Sequence, residues 1–234
     1  MYGLQEINKE YNRRGDAVVA FRCDRLEIGA GEYVAVVGPS GSGKTTLLSL
    51  LGGMLSPTRG KVWLDGQSLY DLSVAERTRI RRQRMGFVFQ SFNLIPYLTA
   101  LENVQLPLVL TGLPATEQCR RATALLDRFG LHGRLGHKPN ELSVGQQQRV
   151  ALARTLVNDP RIILADEPTG NLDPTNRQLV LEILDESCRS GRTVVMVTHD
   201  PEAARHAHRQ LRLCDGAVSE ILVRNSTTKS GDAA

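Results

Sequence analysis

The stretch Gly38-Pro39-Ser40-Gly41-Ser42-Gly43-Lys44-Thr45 constrains this chain more than any other. It fits the pattern G-x-x-x-x-G-K-[ST] with no mismatch. Before it, Tyr33-Val34-Ala35-Val36-Val37 reads as a buried strand, and after it Thr46-Leu47-Leu48-Ser49-Leu50-Leu51 reads as the start of a helix. Strand, Gly-rich turn and helix in that order is the context in which the pattern binds phosphate. Successive backbone N–H groups converge on phosphate oxygens, and the helix N-terminus adds positive potential. Lys44 is placed to reach β- and γ-phosphates, and the Thr45 hydroxyl to ligate Mg²⁺. A plain connecting turn is the alternative, but every fixed position is filled and both flanks are right. A nucleoside triphosphate with Mg²⁺ is the expected ligand, with kinases, GTPases and many ATPases still open.

The remaining bounds are broad. A chain of 234 residues with 41% apolar and 23% charged residues suits one large domain, or a core with an inserted subdomain. The net charge of +4 permits contact with anionic lipid or nucleic acid without demanding either. Arg77, Arg79, Arg81, Arg82 and Arg84 form a local run that reads first as a solvated helix face. Cys23, Cys119, Cys188 and Cys214 show no metal-ligand spacing, as expected of reduced thiols. The start, Met1 to Glu6, lacks the basic and apolar runs of a signal peptide, and no stretch reaches the roughly 18 apolar residues of a membrane span. Any membrane part is expected on another chain.

Along the chain, residues 1–30 read as short strands, with Arg14-Gly15-Asp16 as a turn. Lys61 to Gly66 reads as a strand entering a turn, Ser73 to Arg84 as a helix, and Met85 to Phe89 as a short strand stopping at Gln90. From 91 to 158 strand signals vanish and apolar residues recur at threes and fours, as at Cys119, Ala122, Leu125, Leu126 and Phe129. This predicts an α-helical subdomain inserted into a strand-rich core. Arg161 to Ala165 and Thr193 to Val197 read as buried strands flanking a helix over Pro174 to Cys188. Near-continuous apolar strands separated by helices predict a mainly parallel sheet covered on both faces. The polar tail, 224–234, is expected to be disordered.

Strand ends carry the rest of the expected site. Asp166 and Glu167 end a buried strand, at the edge where parallel sheets bind ligands. Asp166 is expected to hold Mg²⁺ through water, and Glu167 to polarise the attacking water as general base. His199 ends another strand and is placed for a γ-phosphate contact; Gln90 ends a third and can ligate Mg²⁺ or position water. Ser143, before a helical run, is a good N-cap candidate. A Ser/Gly helix start is also an anion site. It lies far in sequence from the first loop, so one nucleotide is gripped from both sides only if two subunits meet head to tail.

Over residues 2–223 the chain resembles the ATP-binding cassette (ABC) ATPases. The resemblance assigns Walker A to 38–45, the Q-loop to Gln90, the signature to 142–146 and Walker B to 162–167. Gly170-Asn171-Leu172-Asp173 looks like the D-loop and His199 like the switch histidine, while Tyr11 matches the aromatic that stacks on adenine. Phe87 to Pro96, Leu98 to Val104 and Ala165 to Asp173 look like the lipoprotein-releasing (LolD-like), macrolide-export (MacB-like) and cell-division (FtsE-like) branch. The implied fold is α/β: a P-loop NTPase core of about 2–90 and 159–223, with an N-terminal antiparallel β part and a helical subdomain of about 91–158.

The resemblance further implies an ATPase with ATP and Mg²⁺ held by residues 38–46, among them Thr46, and by Tyr11, Ser143, Gly145, Gln146 and Asp173. Thr45, Gln90 and Asp166 would serve the metal; Glu167, His199 and Gln90 would serve catalysis. It implies a second copy and integral-membrane permease subunits as partners, no nucleic acid, and a peripheral place on the cytoplasmic face of the inner membrane. A groove for the membrane partner's coupling helix is expected in residues 91–112. Export, lipoprotein release and mechanotransmission fit, as does FtsE-like regulation without transport. One departure stands out: Val144 replaces the first glycine of the usual Leu-Ser-Gly-Gly-Gln. Valine is tolerable there only with ordinary helical torsions, since β-branched residues resist positive φ.

Overall fold

The computed structural model describes residues 1–13, 16–170 and 172–223. The expected turn residues Arg14 and Gly15, Asn171 of the D-loop and the tail 224–234 lie outside the described residues. The chain opens with two long strands, β1 (Tyr2–Arg13) and β2 (Asp16–Ile28), paired antiparallel from Tyr2↔Ile28 to Arg13↔Asp16. The short strands expected here are one hairpin. Residues Asp16 to Val19 bury no side chain, so ladder pairing continues where no apolar alternation marks it.

Next come β3 (Tyr33–Val37), α1 (Lys44–Leu51), β4 (Arg59–Leu64), β5 (Gln67–Ser68), α2 (Val74–Arg84) and β6 (Met85–Phe89). Three helices follow, α3 (Ala100–Val109), α4 (Ala115–Arg128) and α5 (Val144–Leu156). The chain then returns through β7 (Ile162–Asp166), α6 (Pro174–Arg189), β8 (Thr193–Thr198), α7 (Pro201–Ala204), β9 (Arg209–Cys214) and β10 (Ala217–Val223). Helix starts carry their own signatures. Ser73, Thr99 and Ser143 each close a capping box with Glu76, Glu102 and Gln146, while Asp173 caps α6.

All strands join one mixed sheet, ordered β5-β4-β1-β2-β10-β9-β3-β8-β7-β6. The run from β9 to β6 is parallel, and the N-terminal part is antiparallel. β9 and β10 have no counterpart in the sequence reading, although Asp215-Gly216 is a hairpin signal. Its φ values of 48° and 74° meet the positive-φ demand of a primed turn. Two cores form, one on each face of the sheet. Val34 and Val36 face Leu47, Leu50 and Leu51 of α1; Tyr33 and Ala35 face a core containing Val104, Leu126, Val150 and Leu184 from α3 to α6.

The register sets the site. Val37 pairs with Thr198, Val197 with Asp166, and Asp166 with Phe89. The C-terminal ends of β3, β8, β7 and β6 are therefore level, and the phosphate loop, His199, Glu167 and Gln90 leave the sheet side by side.

The segment leaving Gln90 is fastened by Asn103, a fully buried amide on α3. Its Oδ1 accepts from Ile95 N–H (2.8 Å), and its Nδ2 donates to the carbonyls of Leu98 and Thr99 at 3.0 Å each. Asn103→Leu keeps the volume and orphans these groups. The expected cost is about 1–3 kcal/mol, at about 2–4 °C of Tm per kcal/mol for a chain of this size. Thermal unfolding checks it; an unchanged Tm would contradict the assignment.

Candidate nucleotide site

A cleft of about 760 Å³ opens at the level strand ends. Its walls include Ser40, Gly41, Gly43, Lys44, Thr45 and Thr46 from the loop and α1, with Gln90, Asp166, Glu167 and His199 from the other strand ends. Every strand-end residue expected from the sequence is therefore brought to one place.

The loop is shaped by what it cannot carry. Gly43 sits at φ 102°, and a Cβ there would lie 2.1 Å from the carbonyl oxygen of Ala20. Only glycine fits, because both the torsion and the close approach exclude a side chain. α1 starts at Lys44 with no side-chain cap and no acidic residue in its first turn. Its first amides are left to the cleft. The Lys44 ammonium donates to the carbonyls of Gly38 (2.8 Å) and Pro39 (3.0 Å), which curls the loop around it. Ser42 Oγ is buried without a partner.

Two carboxylates face this loop with different surroundings. Thr45 Oγ1 donates to Asp166 Oδ2 at 3.0 Å, joining the loop to the end of β7. Burial pushes the Asp166 carboxyl above its usual range; the Thr45 bond opposes this, the Glu167 charge adds to it and Lys44 counters it. Glu167 holds φ 46°, uncommon for a non-glycine residue, with its N–H donating to Val197 O and its C=O accepting from Gly170 N–H. Its Oε1 lies 2.9 Å from His199 Nδ1, and its Oε2 accepts from His199 N–H at 3.3 Å. The glutamate is mostly buried and the histidine mostly exposed. Gln90 packs on Gly170, where a Cβ would meet its Nε2 at 3.0 Å.

The set fits the expected ligands. An uncapped helix start, a curled loop with a buried lysine and an orphaned hydroxyl suit phosphate. The Thr45 and Asp166 oxygens are the hard donors Mg²⁺ takes, and a carboxylate destabilised by burial gains from a nearby cation.

Tyr11, Ser143, Gly145, Gln146 and Asp173 do not line this cleft. Tyr11 is exposed on β1, with Lys9 Nζ 5.1 Å from its ring centre. Ser143 caps α5, its Oγ accepting from Gln146 N–H (3.3 Å) and its N–H donating to Gln146 Oε1 (2.9 Å). Val144 is the first residue of α5 and has no positive φ, so the condition on valine is met, and its side chain is exposed. Gly145 is buried, and a Cβ would fall 2.2 Å from Asn176 Oδ1. Asn176 is itself held by Asp173, donating from its N–H (3.1 Å) and from Nδ2 (2.5 Å).

Three residues escape sequence reasoning. Ala20 of β2 lines the cleft. Arg154 of α5 donates to the carbonyls of Phe92 (2.7 Å) and Asn93 (2.6 Å), which hold φ 58° and 49°, so it fixes the turn after Gln90. Gln148 is buried on α5 and donates to Pro168 O at 2.8 Å. A polar residue on the apolar stripe of α5 was the available signal for it.

A family model described as ABC transporter matches residues 22–170. The macrolide export ATP-binding/permease protein MacB of Escherichia coli is 49% identical over 215 residues, covering 92% of this chain and 33% of MacB. An uncharacterized ABC transporter ATP-binding protein of Thermotoga maritima is 47% identical over 218 residues, covering 93% of each chain. The dimeric post-hydrolysis structure of the ATP-binding cassette MJ0796 bound to ADP and Pi superposes with a TM-score of 0.90 at 44% identity, over 96% of this chain and 100% of that one. The chain belongs to the ABC transporter family, with the fold of its ATPase cassettes. Its likeness is to the MacB/LolD-like branch, and it spans about a third of the length of the MacB relatives it matches.

The Asp166 shift has a measurable consequence. Its pKa is higher folded than unfolded, so the folded chain binds the proton more tightly and stability falls as pH rises through the folded pKa. Asp166→Asn removes the penalty. In metal-free buffer at neutral pH its Tm should exceed that of the wild type, the gap closing as pH falls toward the unfolded value of about 3.9. A lower Tm for the variant at neutral pH would contradict this.

Proposed function

We propose that this chain binds and hydrolyses ATP with Mg²⁺ between two copies of itself, arranged head to tail, and so powers an integral-membrane permease of the export class. The observation that carries this reading is a division of the site. One cleft gathers the loop, Asp166, Glu167 and His199, while Ser143 stands at an exposed helix start outside it. A second chain completes the cleft by presenting its own Ser143, Gly145 and Gln146 to the γ-phosphate. The dimeric MJ0796 cassette supports the pairing, and the likeness to MacB supports export.

In this reading the loop amides of residues 38–46 and Lys44 bind the β- and γ-phosphates, and Tyr11 stacks on the adenine. Thr45, Asp166 and Gln90 would hold Mg²⁺, which supplies charge neutralisation on the phosphate oxygens. Glu167 takes a proton from the attacking water, whose oxygen then attacks the γ-phosphorus in line as the bridging oxygen leaves with ADP. The Glu167–His199 contact orients that carboxylate, and His199 contacts the γ-phosphate. Asp173 couples the two sites across the dimer.

A second cleft, of about 440 Å³ and mostly apolar, runs between Met54, Phe87, Leu106 and Leu110, with Arg82 at its wall. We assign to it a helix of the membrane partner. In this reading the chain sits on the cytoplasmic face of the membrane. Among the described residues no helix is long and apolar enough to cross a membrane. The single domain of 2–223, with 91–158 as its helical subdomain, stands as part of this reading.

Glu167→Gln removes the base and keeps the shape. Turnover should fall by about 10²–10⁴-fold, with ATP still bound, as read by phosphate release and by titration with a fluorescent ATP analogue. Near-normal hydrolysis would remove Glu167 from the role of base.

A further inference from the structure

Gln148 is 1% exposed on the core-facing side of α5. Its Nε2 donates to Pro168 O at 2.8 Å, and its Oε1 is buried with no partner. An apolar side chain would fill the same stripe without the orphaned acceptor. A buried amide that leaves half its bonding unmet calls for an explanation in what the other half holds.

What it holds is the residue after Glu167. The backbone of Glu167 is pinned by Val197 O on one side and by the turn to Gly170 N–H on the other. The ring of Pro168 fixes its own φ. The remaining freedom is the plane of the Pro168–Thr169 peptide, and Gln148 grips its carbonyl. A second grip lies one turn earlier on α5. Bare Gly145 packs against Asn176, whose amide is tied to the Asp173 carboxylate. Pro168 and the first turn of α6 therefore both meet the same helix.

We propose that Gln148 is a positioning residue, making α5 and the Glu167 loop one rigid body, with Asn176 as the second clasp. It rests on the function proposed above and deepens it. When the nucleotide of a second copy engages Ser143 at the tip of α5, the displacement reaches Glu167 in the same chain through Pro168. Filling one composite site thereby sets the base of the other.

The test compares wild type, Gln148→Met and Asn176→Ala as full chains with Mg²⁺ and ATP. Turnover, binding of a fluorescent ATP analogue and Tm are all read. Misplacing the base should lower kcat by about tenfold or more, while KM and analogue affinity stay within about twofold because the phosphate loop is untouched. Tm should not fall in step. Turnover unchanged in both variants, or KM rising at constant kcat, overturns the positioning role. Should Gln148→Met fail to fold, the partly exposed Asn176→Ala decides alone. A wild-type chain that binds but does not hydrolyse ATP overturns instead the function on which this rests.

Discussion

The in-register pairing of β3, β8, β7 and β6 is the constraint on which the rest depends. Because Val37, Thr198, Val197, Asp166 and Phe89 share one level, residues far apart in sequence leave the sheet at one edge. A slip of one residue in any pair would turn every side chain of that strand to the opposite face. It would also lift Glu167 or His199 out of reach of the loop. The two apolar cores guard against this, since β3 and β8 are buried on both faces and their alternating side chains belong to different clusters.

On that frame the cleft collects features that folding alone would avoid. Asp166 is a carboxylate raised in pKa by burial, Glu167 holds a left-handed torsion, and Ser42 keeps an unpaired hydroxyl. Each costs stability, and such costs cluster where a ligand repays them. Gln148 belongs with them, although it lies behind the cleft. Its orphaned oxygen and bond to Pro168 mark where α5 meets the loop that carries Glu167.

Much of this was legible in the sequence, because the relevant signals are local. Gly38 to Thr45 needs only its own spacing, and Met85 to Phe89, Ile162 to Asp166 and Thr193 to Thr198 are apolar runs with polar residues at their ends. Ser143 was a good N-cap candidate, and it caps α5. What escaped depends on pairing across the chain. The exposed half of the β1–β2 hairpin has no buried face to betray it, and β9 alternates Leu211 and Leu213 with Arg212 too briefly to stand out. Arg154 and Gln148 act on carbonyls remote in sequence, at Phe92, Asn93 and Pro168, which no spacing rule connects to them. In the cleft, Ser143 and Gly145 stand outside the pocket containing Lys44 and Glu167, in keeping with their distance from the first loop in sequence.

That separation makes a second copy essential to the proposed site. In a variant with its native cysteines replaced, Ser40→Cys in the phosphate loop and Ser143→Cys at the tip of α5 should form a disulfide between chains when ATP is bound. Non-reducing gels and mass spectrometry would read it. Cross-linked dimers should depend on nucleotide and vanish with Lys44→Ala. Hydrolysis by a chain that stays monomeric and uncross-linked with ATP bound would contradict it.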